Sequence, residues 1–150
     1  MKKIILTTLL IFVMAVPAEP ADGVVNVPSD FSVQETADRM ESILKDKGMT
    51  IFSRIRHAEN AGKVGIELRD TELIIFGNPK VGSPLMKCRQ SVAIDLPQKA
   101  LIWKDDKAKV WISYNDPGYL KKRHDIADCE ETLSKIEKAL AGIAKAASVK

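Results

Sequence analysis

Chemistry in this chain has few residues to draw on. The 150-residue sequence holds two cysteines, Cys88 and Cys129, and two histidines, His57 and His124. An even count of two cysteines allows a single internal bridge. Such a bridge would close a loop spanning 41 positions. The chain-entropy relation puts that at about 4 kcal/mol before any strain. Two unpaired thiols acting as small hydrophobes stand as the alternative. Cys88 as a nucleophile with His57 or His124 as its base is another. The spacing is not C-x-x-C, so a thioredoxin-like redox pair is poorly supported. The four residues together match the donor types of a Cys₂His₂ zinc site, but each stands alone, without paired ligand spacing. An imidazole could also serve as an axial ligand to non-covalent haem.

The second place for chemistry is Phe76-Gly77-Asn78-Pro79-Lys80-Val81-Gly82-Ser83-Pro84-Leu85-Met86. Here a strand ends in a glycine-containing loop that opens a helix. Free amides and the dipole make helix N-termini attractive to anions, and Lys80 adds charge. In the plainer reading Asn78 and Pro79 shape a turn and Ser83 caps the helix. No phosphate loop, dinucleotide fingerprint, zincin motif, nucleophile elbow or covalent-haem motif is present in the sequence, which lowers the weight of the common enzyme classes.

The elements that would position these residues follow from periodicity. Ser32 and Glu35 form a capping box, and Val33, Ala37, Met40 and Leu44 make one helical stripe that Gly48 ends. A strand is expected from Met49 to Arg56, then a short helix from Ala58 to Val64 entered from His57. Glu72 to Phe76 reads as a buried strand closed by Gly77-Asn78-Pro79. Ser83-Pro84 reads as N-cap and N1 of a helix running to about Val92, closed by Asp95-Leu96-Pro97. Ala100 to Lys104 and Lys109 to Asn115 make a hairpin with Trp103 and Trp111 on its strands. Asp116-Pro117-Gly118 turns into a short helix near Tyr119 to His124. Asp128 is expected to cap a final helix with Leu133, Ile136, Leu140 and Ile143 on one face. The pattern lacks regular β-α-β alternation. It predicts an α+β fold, a small antiparallel sheet of about four strands with about four helices packed on it.

Composition sets the setting. With 45% apolar and 29% charged residues the chain is of ordinary globular type, long enough for one core. Lys2 and Lys3 precede an apolar run from Ile4 to Val16, and Val16-Pro17-Ala18 offers a cleavage site. This is the layout of a secretory signal peptide, too short to span a membrane. Residues 1–18 are therefore read as a signal peptide, 19–30 as a polar leader and 31–147 as a single domain. Cleavage takes two lysines and most of the +3 net charge with it. The charge balance leaves no basic stripe for nucleic acid. The mature protein is expected in the periplasm or outside the cell, without a membrane anchor.

Four segments carry a resemblance: Phe76-Gly77-Asn78-Pro79 with Gly82-Ser83-Pro84-Leu85-Met86, Asp95-Leu96-Pro97, Tyr114-Asn115-Asp116-Pro117, and Arg56-His57-Ala58 upstream. Together they resemble the domain of unknown function 302 (DUF302) family over about residues 30–145. The resemblance implies a compact α+β fold with an antiparallel sheet, commonly dimeric, and no established reaction. It says nothing about the two cysteines. It points to a shared site at strand ends, made by His57, Gly77, Asn78, Pro79, Ser83 and Tyr114, because a match concentrated in loops speaks for a site more than for packing. The expected function is an exported homodimer binding a small molecule or an anion. Cofactor and ligand identity stay open, and the alternatives are a thiol- or His-dependent enzyme and a protein-interaction module. A small polar pocket is expected, walled by Asn78 and the amides near Ser83, with His57 close by.

Overall fold

The computed structural model describes residues 23–150; the signal-peptide reading of residues 1–18 lies outside the described residues. The chain runs through β1 (Val24–Ser29), α1 (Val33–Asp46), β2 (Thr50–Arg56), α2 (His57–Gly62), β3 (Thr71–Gly77) and α3 (Pro79–Cys88). A 3-10 segment (Gln90–Ile94), β4 (Gln98–Lys104), β5 (Val110–Asn115), α4 (Pro117–Arg123) and α5 (Glu130–Ser148) complete it. The strands form one antiparallel sheet in the order β1-β5-β4-β3-β2. The α+β class agrees with the sequence. The sheet has five strands rather than about four, and five helices accompany it.

The additional strand, β1, lies in the segment read as a leader. Val25 and Val27 sit opposite Tyr114 and Ile112 of β5 and pack against the core. Pro28 is tolerated because β1 is an edge strand, where a missing N–H breaks no ladder bond on the open side.

Period-2 alternation makes the sheet one-sided. β3 buries Glu72, Ile74 and Phe76 on one face. The register continues that face through Ala100 and Ile102 of β4 to Ile112 and Tyr114 of β5. α1 and α5 pack on it and on each other. They bring down Val33, Ala37, Met40 and Leu44 from one helix, and Leu133, Ile136, Leu140 and Ile143 from the other. The opposite face carries Ile55, Leu73 and Leu101 in one row, with the cross-strand pair Trp103 and Trp111 beside them. All five are half-buried.

The capping reading of α1 holds: Glu35 N donates to Ser32 Oγ at 3.2 Å. Gly48 ends the helix at φ +67°, and its neighbour Met49 N donates to Leu44 O at 2.9 Å. That is a Schellman stop, which only glycine makes without strain. In the hairpin Asp105 ties the turn, accepting from the amides of Lys107 and Lys109 and from Trp111 Nε1 at 2.8–2.9 Å. Two expected helix starts move. α3 begins at Pro79, so Ser83 and Pro84 lie inside it rather than at its cap. α5 has Cys129 at its N-cap, with no side-chain cap bond, and Asp128 lies one residue outside. Cys88, the last residue of α3, and Cys129 are joined in a disulfide, with Cα atoms 6.4 Å apart, inside the usual bridging range.

Candidate ligand-binding site

Antiparallel pairing decides which strand ends meet. Thr50 at the start of β2 faces Gly77 at the end of β3, and Phe76 faces Gln98 at the start of β4. These three ends flank a half-open cavity of about 240 Å³. Met49 and Phe52 wall it on the β2 side. Gly77, Asn78, Pro79 and the first two turns of α3 form a second wall, and Leu96, Pro97 and Gln98 a third; Met86 and Ile136 reach in from α3 and α5. Gly77 matters for space. A Cβ there would sit 3.5 Å from both Phe52 Cε2 and Pro97 Cβ, so a larger side chain would fill the gap between them.

Gly77, Asn78, Pro79 and Ser83 therefore share one cavity wall, and the wall is not the polar cradle expected. Asn78 is the N-cap of α3. Its Oδ1 accepts from Lys80 N at 2.9 Å and its Nδ2 donates to Gly48 O at 3.3 Å. The amides of Val81 and Gly82 both donate to Asn78 O at 2.9 Å. The helix-start amides are thus occupied, and Ser83 lies within the helix with no amide to offer an anion. Among the residues that line the cavity there is no Asp, Glu, Lys, Arg or His. Asn78, Ser83 and Gln98 are its polar lining residues; Gln98 Nε2 is fully buried and has no hydrogen-bond partner.

His57 is not close by. It follows Arg56, which faces Glu72 at the far end of β3, whereas Asn78 follows Gly77. Five strand steps separate the two ends, roughly 17 Å at the antiparallel rise. Tyr114 is also elsewhere: it lies on the helix-covered face of β5 at 7% exposure, within the core. Burial raises its phenol above the ordinary value, and the carboxylates of Asp116 and Glu137 push the same way.

The histidine that makes a specific contact is His124, the C-cap of α4. Its Nε2 lies 2.5 Å from Asp95 Oδ2 and its Nδ1 3.1 Å from Ser91 Oγ. Arg123 Nη1 reaches the other oxygen of Asp95 at 3.5 Å. Asp95 directly precedes Leu96 and Pro97 in the cavity wall, so this cluster braces that wall from behind. The sequence carried Asp95 only as part of a closing Asp-Leu-Pro and His124 only as a lone imidazole; a contact 29 positions apart leaves no local signal. The zinc and thiol readings lose their donors, because Cys88 and Cys129 are bonded to each other. Among the described residues no group of three or more His, Cys, Asp or Glu is gathered for a metal.

Fold and site together define a two-layer α+β domain with an apolar cavity at one end of its sheet. The family model for Domain of unknown function DUF302 matches residues 25–143, and the chain belongs to that family. The crystal structure of an uncharacterized conserved DUF302 protein from Bacillus stearothermophilus superposes with a TM-score of 0.76 at 20% identity, covering 85% of this chain and 99% of that one. Among curated proteins the chain is similar to three Brucella proteins named fluoride-specific ion channel. It is 44% identical over 104 residues to FluC 1 of Brucella suis biovar 1, covering 69% of this chain and 41% of that protein. It is equally identical to FluC 2 of Brucella melitensis biotype 1, covering 38% of that protein. The chain thus spans about two fifths of the length of the curated relatives it matches.

Proposed function

We propose that this DUF302 chain is an exported small-molecule-binding protein that works as a homodimer. The observation that carries binding is the cavity at the strand ends. Four residues picked out by family resemblance line it, and its walls come from strand ends and α3, with Ile136 of the core at its base. Concave, mostly apolar sites of this kind are the common form of small-ligand pockets. The signal-like N-terminus supports export, and the Cys88–Cys129 bridge fits an oxidising compartment. The open sheet face with Ile55, Leu73, Leu101 and the two tryptophans supports pairing with a second copy through a twofold interface. Saturation-transfer NMR with ethylbenzene tests binding, with Gly82→Leu as the blocked form. A Cβ at Gly82 meets only Leu96 Cδ1, at 3.8 Å, and leucine suits a helix better than glycine. Signal in the wild type and its loss in a folded Gly82→Leu protein is the expected result. Equal signal in both, or none in either, counts against the cavity.

The channel relatives favour a second reading, in which the domain serves a membrane ion channel as an accessory module. No helix among the described residues is long and apolar enough to cross a membrane. In a protein combining both functions, the pore would be built from the remaining length. The cavity itself suits fluoride poorly, since a small anion would exchange its hydration for methionine, phenylalanine, leucine and isoleucine side chains. A sodium fluoride titration followed by amide NMR separates the readings. Saturable shifts at cavity residues favour an ion site, and shifts with ethylbenzene alone favour the apolar one.

A further inference from the structure

We infer that Ser91, His124 and Asp95 form a second site, for acyl transfer from aryl esters or thioesters: Ser91 is the nucleophile, His124 its base and Asp95 the residue that positions the base. The site stands apart from the ligand-binding reading above. Ser91 is the second residue of the 3-10 segment and Asp95 is its C-cap. The ring of His124 lies between them, with Nδ1 3.1 Å from Ser91 Oγ and Nε2 2.5 Å from Asp95 Oδ2. Arg89 holds that alignment by tying the start of the segment to the residue after His124. Its Nε donates to Asp125 O at 2.8 Å and its Nη2 to Asp125 Oδ2 at 2.9 Å.

This is the geometry of an activated serine: a hydroxyl within hydrogen-bond reach of a base, and the base oriented by a third group. The carboxylate sets the tautomer. It accepts from Nε2–H, so Nδ1 presents its lone pair to the Ser91 hydroxyl. The two ring nitrogens exchange their more familiar roles, and such a constellation is recognised by geometry and role rather than by residue order. Burial divides the labour. The side chains of His124 and Asp95 are only 6% and 12% exposed, whereas Ser91 is exposed and open to a substrate. Ile94 follows Ser91 by three residues, and side chains at that spacing eclipse in a 3-10 helix. It is 73% exposed and gives the acyl or aryl part of the donor an apolar rest. Water is not excluded from Ser91, which suits donors that already carry a good leaving group rather than amides. In the reaction Ser91 Oγ bonds to the acyl carbon as its proton passes to His124 Nδ1. The bond to the phenol oxygen or thiol sulfur breaks, and that group leaves with the proton. Water then attacks the acyl-serine and gives a proton to Nδ1. The bond to Oγ breaks, the acid departs and the hydroxyl regains its proton.

The test uses the purified, disulfide-bonded protein. A fluorophosphonate should add a single label, mapped to Ser91 by tandem mass spectrometry, and p-nitrophenyl acetate should be cleaved. Ser91→Ala, an exposed change of little consequence for stability, should abolish the label and the cleavage. His124→Gln should slow labelling by roughly a hundredfold or more, the usual worth of a general base. Asp95→Asn should lower kcat for the ester by a similar factor with KM unchanged, a split that a loosened fold does not produce. No label on the wild type, a label on another residue, or cleavage at the wild-type rate in Ser91→Ala overturns the site, whether or not the other two variants fold. An unchanged labelling rate in folded His124→Gln overturns it as well.

Discussion

Removing the Cys88–Cys129 bridge is the perturbation whose size follows most directly from the topology. The bridge ties the end of α3 to the N-cap of α5 across 41 positions. In the unfolded chain it holds that loop closed, and the chain-entropy relation gives about 4 kcal/mol at 25 °C. Little packing is lost with the sulfurs, because Cys88 is exposed and Cys129 half-buried. About 4 kcal/mol is nearly three powers of ten in the folding equilibrium, and a single domain has only about 5–15 kcal/mol in total. Urea unfolding followed by Trp103 and Trp111 fluorescence compares three samples: oxidised wild type, wild type in dithiothreitol, and Cys88→Ser/Cys129→Ser. The reduced wild type and the double variant should coincide, about 3–5 kcal/mol below the oxidised protein. A loss under about 1 kcal/mol, or reduced wild type that unfolds like the oxidised form, would refute the reasoning.

Asn78→Ala should lower stability by about 1–2 kcal/mol, from the lost α3 cap and the bond to Gly48; calorimetric unfolding reads this, and an unchanged midpoint contradicts the capping role. His57→Ala should leave ethylbenzene affinity unchanged, since the residue lies at the other end of the sheet; a tenfold loss in an NMR titration with ethylbenzene would oppose that placement. The carboxyl of Asp105 is held below the ordinary range first by Trp111 Nε1–H and then by the Lys109 and Lys107 amides, with burial opposing. A depressed folded-state value means its stabilisation is present above the unfolded value and lost as pH falls through the folded one. The gap in unfolding midpoint between wild type and Asp105→Ala should therefore narrow below about pH 4, and a gap that widens on acidification has the wrong sign. Leu101→Glu on the open sheet face should leave a folded monomer by light scattering; a dimer of undiminished affinity places the interface elsewhere.

Legibility in the sequence followed the range of the forces involved. The stripes of α1 and α5 repeat every three or four residues, so Met40, Leu44, Ile136 and Leu140 could be assigned from their own neighbours. The hairpin carrying Trp103 and Trp111 was equally local. β1 was not, because Val25 and Val27 sit among polar residues and Pro28, and their burial depends on β5 some ninety positions away. The start of α3 was a contest between two similar pairs, Asn78-Pro79 and Ser83-Pro84. The first prevailed because β3 ends at Gly77 and Asn78 can reach Lys80 N at once. Gly77, Asn78, Pro79 and Ser83, which line the cavity, fall within one short segment of sequence. His57 was misplaced because adjacent antiparallel strands bring the end of one to the start of the next, not end to end. Gln98 and the Asp95–His124 contact had no local mark, since an unpartnered amide or a long-range hydrogen bond is a property of the assembled wall.

The central claim is that the strand-end cavity binds a small apolar ligand, and a methyl-NMR titration of the protein with ethylbenzene tests it most directly. The account expects saturable shifts at the methyls of Met49, Met86, Leu96 and Ile136, which line the cavity, with those of Ile55, Leu73 and Leu101 on the open face unmoved. No saturable shift at the cavity methyls, or shifts centred on the open face, would contradict it.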